Sequence, residues 1–143
     1  MIVYLSGTIT PNPEHNAWRA AFHEQFALAG YDVYDPMRFK SIADLDAKGY
    51  TSKIPASLFT ERDFCDIMKA DVMILVYKKG LTRQSIGTWA EFGWAIMVRI
   101  PVLVMTDDKD VKNHPFIQKW AALVAEGPRE IIKAVAFLDK PAR

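Results

Sequence analysis

Short apolar runs alternate with stretches of helical periodicity along the whole chain. Residues 2–6 are mostly apolar and are closed by Gly7, which predicts a buried strand. Pro13 and Asn16 punctuate the entry to a helix. On it Trp18, Ala21, Phe22 and Phe26 share one side, with Arg19, His23 and Glu24 on the other. Gly30 is placed to close that helix at C′. Residues 31–34 predict a second strand, stopped by Asp35 and Pro36. Residues 37–55 are irregular and polar. Loops that long inside a small domain are often lids or binding loops. A helix is expected over 57–69, and residues 71–77 carry the strongest strand pattern. Residues 78–85 read as a polar loop, and 87–98 as a nearly all-apolar helix. A buried strand follows over 101–105, then a charged loop over 107–113. His114-Pro115 opens a short helix to Trp120. Residues 122–125 predict a fifth strand. Pro128 starts a last helix, with Ile131, Ile132, Val135 and Leu138 on its inner face.

Strands that are apolar throughout and alternate with helices imply a parallel sheet covered on both faces. The expected fold is an α/β, doubly wound sandwich of four to five strands, forming a single domain over 1–143. In such sheets a ligand binds beyond the carboxyl ends of the strands, where the strand order reverses. With strand one central, the reversal falls between strands one and three. The site is then expected from two loops, residues 7–13 and 78–87.

Composition narrows the function. The chain has 143 residues, half of them hydrophobic and 24% charged, as in an ordinary globular protein. Its 18 Lys and Arg nearly balance 17 Asp and Glu. No broad field therefore favours nucleic acid or an anionic membrane as partner. One Cys excludes a disulfide framework or a thiolate cluster. The three His residues are scattered, without HExxH spacing, so no metal is expected. The beginning of the chain has no signal-peptide pattern, and the longest apolar stretch, 89–98, is too short to span a bilayer. A cytoplasmic protein is the expectation. GxGxxG, GxxxxGK[ST] and GxSxG are all missing, which argues against dinucleotide, P-loop and serine-hydrolase chemistry.

Two carboxylates stand out. Glu91 is the only charge between Arg83 and Arg99. Thr88-Trp89-Ala90-Glu91 fits a capping box, in which the Glu satisfies the cap residue's N–H. The same position also suits a carboxylate in a first helical turn, kept ionised by the helix N-terminus and facing the ligand crevice. Such a group is a nucleophile toward an oxocarbenium-like sugar carbon. Asp63 falls in the apolar stripe of Phe59, Ile67 and Ala70, whereas Arg62, Asp66 and Lys69 form a solvated stripe. A carboxylate in an apolar stripe is either at its edge, reaching water or a backbone donor, or in use. Ser85 and Thr88 flank Gly87, a pattern shared by ordinary N-caps and by phosphate sites at helix N-termini. His114 reads as a loop histidine, Cys65 as an inert helix residue, and Trp18, Trp89, Trp94 and Trp120 as core.

These segments together carry a family likeness. Ile2-Val3-Tyr4-Leu5-Ser6-Gly7, then Asp63 with Ala70-Asp71-Val72-Met73-Ile74, then Ser85-Ile86-Gly87-Thr88-Trp89-Ala90-Glu91-Phe92-Gly93-Trp94-Ala95, resemble the motifs of the nucleoside 2-deoxyribosyltransferase family. The likeness covers roughly residues 2–117 in order, and the third motif is the specific one. It implies a flavodoxin-like (Rossmann-like) fold and cleavage of the N-glycosidic bond of a nucleoside or nucleotide, with no cofactor. By position it implies Glu91 as the nucleophile at C1′, Asp63 as proton donor or hydrogen-bond partner of the departing base, and Tyr4 against the sugar, ordering Glu91. Gly7, Thr8, Ser85, Gly87 and Thr88 would bind substrate. The family holds transferases, which pass deoxyribose to another base, and 5′-monophosphate hydrolases, which pass it to water. Six residues before the Glu, the transferases carry Asp and the hydrolases Ser, so Ser85 points to the hydrolases. A hydroxyl at a helix N-terminus accepts a dianion where a carboxylate repels it.

The hydrolases also carry a basic residue soon after the first Gly. This chain has Thr8-Ile9-Thr10 instead, which leaves Arg83 or a neighbouring subunit's His114 as candidate phosphate contacts. The family's sites borrow residues across subunits, so a homodimer or larger assembly is expected. Two other readings compete. One is a non-catalytic nucleotide sensor. The other is a phosphoribohydrolase of the "lonely guy" kind, whose PGG run before the GT is missing here.

Overall fold

The computed structural model describes residues 1–38, 40–46, 50–80 and 85–139. Five parallel strands form one sheet: β1 (Ile2–Gly7), β2 (Asp32–Tyr34), β3 (Val72–Tyr77), β4 (Val102–Thr106) and β5 (Leu123–Ala125), in the order β2-β1-β3-β4-β5. The helices are α1 (Ala17–Leu28), α2 (Ala56–Lys69), α3 (Ile86–Met97), α4 (Lys109–Lys112), α5 (Pro115–Trp120) and α6 (Pro128–Leu138).

Successive side chains of a strand point to opposite faces, so each central strand feeds two cores. Val3 and Leu5 of β1, with Val72, Ile74 and Val76 of β3, pack with Phe22 and Phe26 of α1 and Ile131 and Val135 of α6. Tyr4, Met73 and Leu75 face the other way, onto Ile67 of α2, Phe92 and Ala95 of α3, and Ile117 of α5. This two-sided burial is why the strands read as unbroken apolar runs. The reversal in strand order lies between β1 and β3, paired from Val3↔Val72 to Gly7↔Val76. Their carboxyl ends therefore open a crevice at Gly7 and Tyr77.

Helix ends follow local chemistry. Gly30, at φ 77°, is the C′ residue of α1. Its N–H reaches Ala27 O at 3.0 Å, while Tyr31 N–H reaches Phe26 O at 2.9 Å. That is a Schellman closure, with Phe26 and Tyr31 supplying its apolar contact. Tyr31 is thus spent on the cap, and β2 starts one residue later than the apolar pattern suggests. At the end of α3, Arg99 takes the same left-handed position at φ 66°.

Several expectations need correction. Arg19 is not on a solvated side of α1 but is 4% exposed. Its guanidinium donates to Asp35 Oδ1 at 2.6 Å and to the Gly7 carbonyl at 2.8 Å, so a buried charge is paired and ties the end of β1. Asp66 is likewise buried, in an ion pair with Arg38 at 2.5 Å. The segment after β2 folds back over α2 and covers Asp66 and part of Arg62, while Lys69 of the same stripe stays exposed. Residues 107–113 are not wholly a loop. Asp108 Oδ1 accepts from the Asp110 and Val111 amides and caps the short α4. Leu138 is 38% exposed, because the buried stripe of α6 ends at Val135.

Candidate active site

Strand alternation delivers the first two site residues. Because Val3 and Leu5 belong to the α1–α6 core, Tyr4 and Ser6 must point toward α2 and α3. Glu91 of α3 meets them there. The Tyr4 hydroxyl donates to Glu91 Oε2, and Ser6 Oγ donates to Oε1 at 3.3 Å. Glu91 is only 8% exposed.

The capping-box alternative for Glu91 is overturned. α3 begins at Ile86, with Ser85 as N-cap: its Oγ accepts from the Thr88 amide at 3.4 Å. Thr88 is therefore the third helical residue, with its hydroxyl 2.5 Å from that of Ser85. Glu91 lies in the second turn, too far along to cap anything. The expected ionisation by the helix N-terminus also fails there, since that influence fades within the first turn. Burial instead pushes the Glu91 carboxyl up to about 8. The hydrogen bond from Tyr4 pulls it down, nearby Asp63 pushes it up, and Arg19 and Ser6 pull it down more weakly. Removal of a carboxylate from water outweighs two good donors. Tyr4 itself, buried beside that carboxylate, is held firmly as a neutral phenol.

Asp63 reaches the same space from α2. It is 8% exposed and accepts from Arg62 Nη2 at 3.2 Å. Arg62 also donates to the carbonyls of Arg38 and Pro36, at 2.8 and 2.9 Å, and so pins the segment after β2 against α2. Burial pushes the pKa of Asp63 above the usual carboxylate value, with Lys40 and then Arg62 opposing it.

A cleft of about 400 Å³ sits over these groups. Gly7 and Thr8 line it from the first expected loop, and Ser85, Gly87 and Thr88 from the start of α3, together with Asp63 and Glu91. Gly7 has no room for a side chain. A Cβ there would lie 2.7 Å from the Trp18 ring and 3.0 Å from the Val76 carbonyl. Thr8 Oγ1 is buried without a hydrogen-bond partner among the described residues. The site is not built from two loops alone: Lys40, Tyr50 and Thr51 line it from the segment after β2, and Phe59 and Thr60 from α2. Trp94 also faces the cleft and is not simply core. His114 does not line the cleft of its own chain; it caps α5, its Nδ1 accepting from the Phe116 amide at 3.3 Å. Arg83 lies outside the described residues.

The family model for nucleoside 2-deoxyribosyltransferases matches residues 3–125, most of the chain. The chain belongs to the nucleoside 2-deoxyribosyltransferase family. It is an enzyme of the glycosyl-transfer or hydrolysis kind, acting at the N-glycosidic bond of nucleosides or nucleotides. Solved structures share its fold. A 2-deoxyribosyltransferase from Bacillus psychrosaccharolyticus matches over 100% of both chains, with TM-score 0.74 and 18% identity. A conserved protein from Enterococcus faecalis V583 matches over 96% of this chain and 98% of its own, with TM-score 0.70 and 16% identity. A CMP N-glycosidase from Clostridium botulinum covers the same shares, with TM-score 0.64 and 13% identity. No curated protein sequence matches the chain significantly. No helix among the described residues is long and apolar enough to cross a membrane.

Membership explains why the conspicuous motif residues converge on one cleft. It does not explain Lys40. The sequence flagged residues 37–55 as a possible binding segment without singling out any member, since a lysine in a polar loop looks like any solvated one.

Proposed function

We propose that this enzyme cleaves the N-glycosidic bond of 2′-deoxynucleoside 5′-monophosphates by way of a covalent Glu91 intermediate. The observation that carries the reading is the buried Glu91 carboxylate, held by Tyr4 and Ser6 beside a cleft that Asp63 also lines. Ionised Glu91 attacks C1′ as the C1′–N bond breaks, and the bond's electron pair leaves with the base. Two hydrogen-bond donors on the carboxylate orient it before reaction, which removes reorganisation from the barrier. Asp63, whose proton is held more tightly than usual, donates that proton to the departing base. Water then attacks C1′ and passes a proton to the Asp63 carboxylate left by the first step, as the bond from C1′ to Glu91 breaks, releasing the sugar phosphate and restoring both carboxyl groups.

The 5′-phosphate would sit at the start of α3. Ser85 and Thr88 offer hydroxyls there, and Thr8, whose Oγ1 has no hydrogen-bond partner among the described residues, lines the same cleft. Charge-assisted hydrogen bonds of this kind are worth roughly 1.5–3 kcal/mol each.

A second reading, deoxyribose transfer between bases, is favoured by one observation: the one basic side chain among the described residues lining the cleft, Lys40, packs on Phe59 of α2. One experiment separates the two. Nucleosides and 5′-monophosphates are incubated with the enzyme, with and without an acceptor base, and free base and new nucleoside are followed by chromatography. Base release from monophosphates without acceptor is expected, abolished by Glu91→Gln. Ser85→Asp should shift kcat/KM toward the free nucleosides by repelling the dianion. A wild type that prefers nucleosides and requires an acceptor base would establish the transferase instead.

A further inference from the structure

Lys40 is the only basic side chain among the described residues that line the cleft. It follows β2, on the segment that Arg62 and the Arg38–Asp66 pair clamp to α2. Its ammonium lies 4.5 Å from the centre of the Phe59 ring. Among the described residues it forms no salt bridge with any carboxylate. Of the two site carboxylates, Asp63 acts on it more strongly than Glu91. Lys40 thus belongs to the α2 side of the cleft, against Phe59 and under the influence of Asp63 more than of Glu91. Burial makes its charged form costlier than usual. A lysine brought this far out of water without a salt bridge is suited to an acceptor supplied by the ligand.

The ligand group expected at the α2 end is the base, because Asp63 is there to protonate it. Phe59 and Trp94 add flat apolar surface to the same cleft. Resting on the reading above, we propose that Lys40 selects bases bearing a carbonyl oxygen conjugated to the glycosidic nitrogen, the oxopyrimidines and 6-oxopurines, over adenine. When the C1′–N bond breaks, its electron pair enters the base ring. In an oxo-base the resulting negative charge spreads onto the carbonyl oxygen, where the ammonium donates a hydrogen bond and keeps its own proton. The proton that neutralises the base comes from Asp63. Adenine carries an amino group where hypoxanthine carries oxygen, so an ammonium placed for that oxygen meets a donor instead. A site built to hydrogen-bond one group discriminates strongly against a ligand lacking it.

The test compares deoxyinosine and deoxyadenosine 5′-monophosphates, with deoxyuridine 5′-monophosphate as a third substrate, in wild type, Lys40→Met and Lys40→Arg. Lys40→Met should lower kcat/KM for the two oxo-bases by about 10- to 100-fold, the worth of a hydrogen bond to a charged group, and leave adenine within about threefold. Lys40→Arg should restore part of the preference. Equal losses on all three bases would mean that Lys40 merely packs on Phe59, and would overturn the proposal. So would losses that disappear when the nucleosides replace the monophosphates, since Lys40 would then be reading phosphate.

Calorimetry with free hypoxanthine and adenine supplies a readout independent of turnover. Tighter hypoxanthine binding that is lost in Lys40→Met supports the selection even if the wild type cleaves none of these substrates, in which case only the proposed reaction falls. Equal binding of the two bases, or none, overturns the selection.

Discussion

Replacing Tyr4 by Phe removes one hydroxyl from a fully buried ring and one donor from Glu91. The ionised carboxylate loses more than the neutral acid, because the hydrogen bond from Tyr4 favours the charged form. Such a bond to a charged group is worth roughly 1.5–3 kcal/mol, and 1.36 kcal/mol is one pKa unit, so the Glu91 carboxyl should climb by about one to two units. The wild-type value is about 8. At pH 7 about a tenth of the wild-type enzyme then carries ionised Glu91, against about a hundredth or less in the variant. The nucleophile must be ionised, so kcat/KM at pH 7 should fall roughly 10- to 100-fold, following that fraction. At high pH the carboxylate forms again, with one donor fewer to satisfy its charge, and most of the loss should vanish. The assay is kcat/KM against pH from 6 to 10 on a substrate with a good leaving base, whose departure does not need the Asp63 proton, with circular dichroism at each pH as a check on folding. The acidic limb is expected to bend near pH 8 in the wild type and about one to two units higher in Tyr4→Phe. A limb that keeps its midpoint while activity drops equally at every pH would refute the reasoning. Tyr4 would then act by touching the sugar and not by tuning Glu91.

Three further outcomes follow from the same geometry. Asp63→Asn should slow base release far more for poor leaving bases than for good ones, read from a series of substrates with graded base basicity; uniform slowing would remove Asp63 from the acid role. Glu91→Gln should gain stability over the wild type as pH rises. The native protein holds a proton on Glu91 between 4.5 and about 8 that the unfolded chain releases, so wild-type stability falls across that window. The gap in Tm between variant and wild type should widen from pH 5 to 8, by an amount corresponding to on the order of 3–4 kcal/mol, and a constant gap would contradict a buried neutral acid. The enzyme should be a homodimer or larger, because Ile86 and Met97 of α3 are each 80% exposed beside the half-buried Trp94; light scattering at micromolar concentration showing a fully active monomer would exclude this.

The sheet was legible in the residues because its central strands, β1, β3 and β4, are buried on both faces. Residues such as Met73, Ile74 and Leu75 must all be apolar, whichever side they point to. The reversal between β1 and β3, and with it a crevice at Gly7, followed only on the condition that strand one is central, which the order β2-β1-β3-β4-β5 meets. The anomalous carboxylates were legible too, since an Asp or Glu inside an apolar stripe is costly enough to demand a reason. What Glu91 does with its charge was not legible. One turn of helix separates a capping glutamate from one that points across to Tyr4 and Ser6, and only the position of the Ser85 cap decides between them. Its acidity likewise depends on how much water the packed neighbours exclude. Arg19, Asp66 and Lys40 show the same limit from the other side. Each is a charged residue that local pattern assigns to solvent, and each is withdrawn from it by a segment distant in sequence. Periodicity reports which side of its own element a residue occupies. Whether that side meets water, an opposite charge or a substrate is settled only when the rest of the chain folds over it.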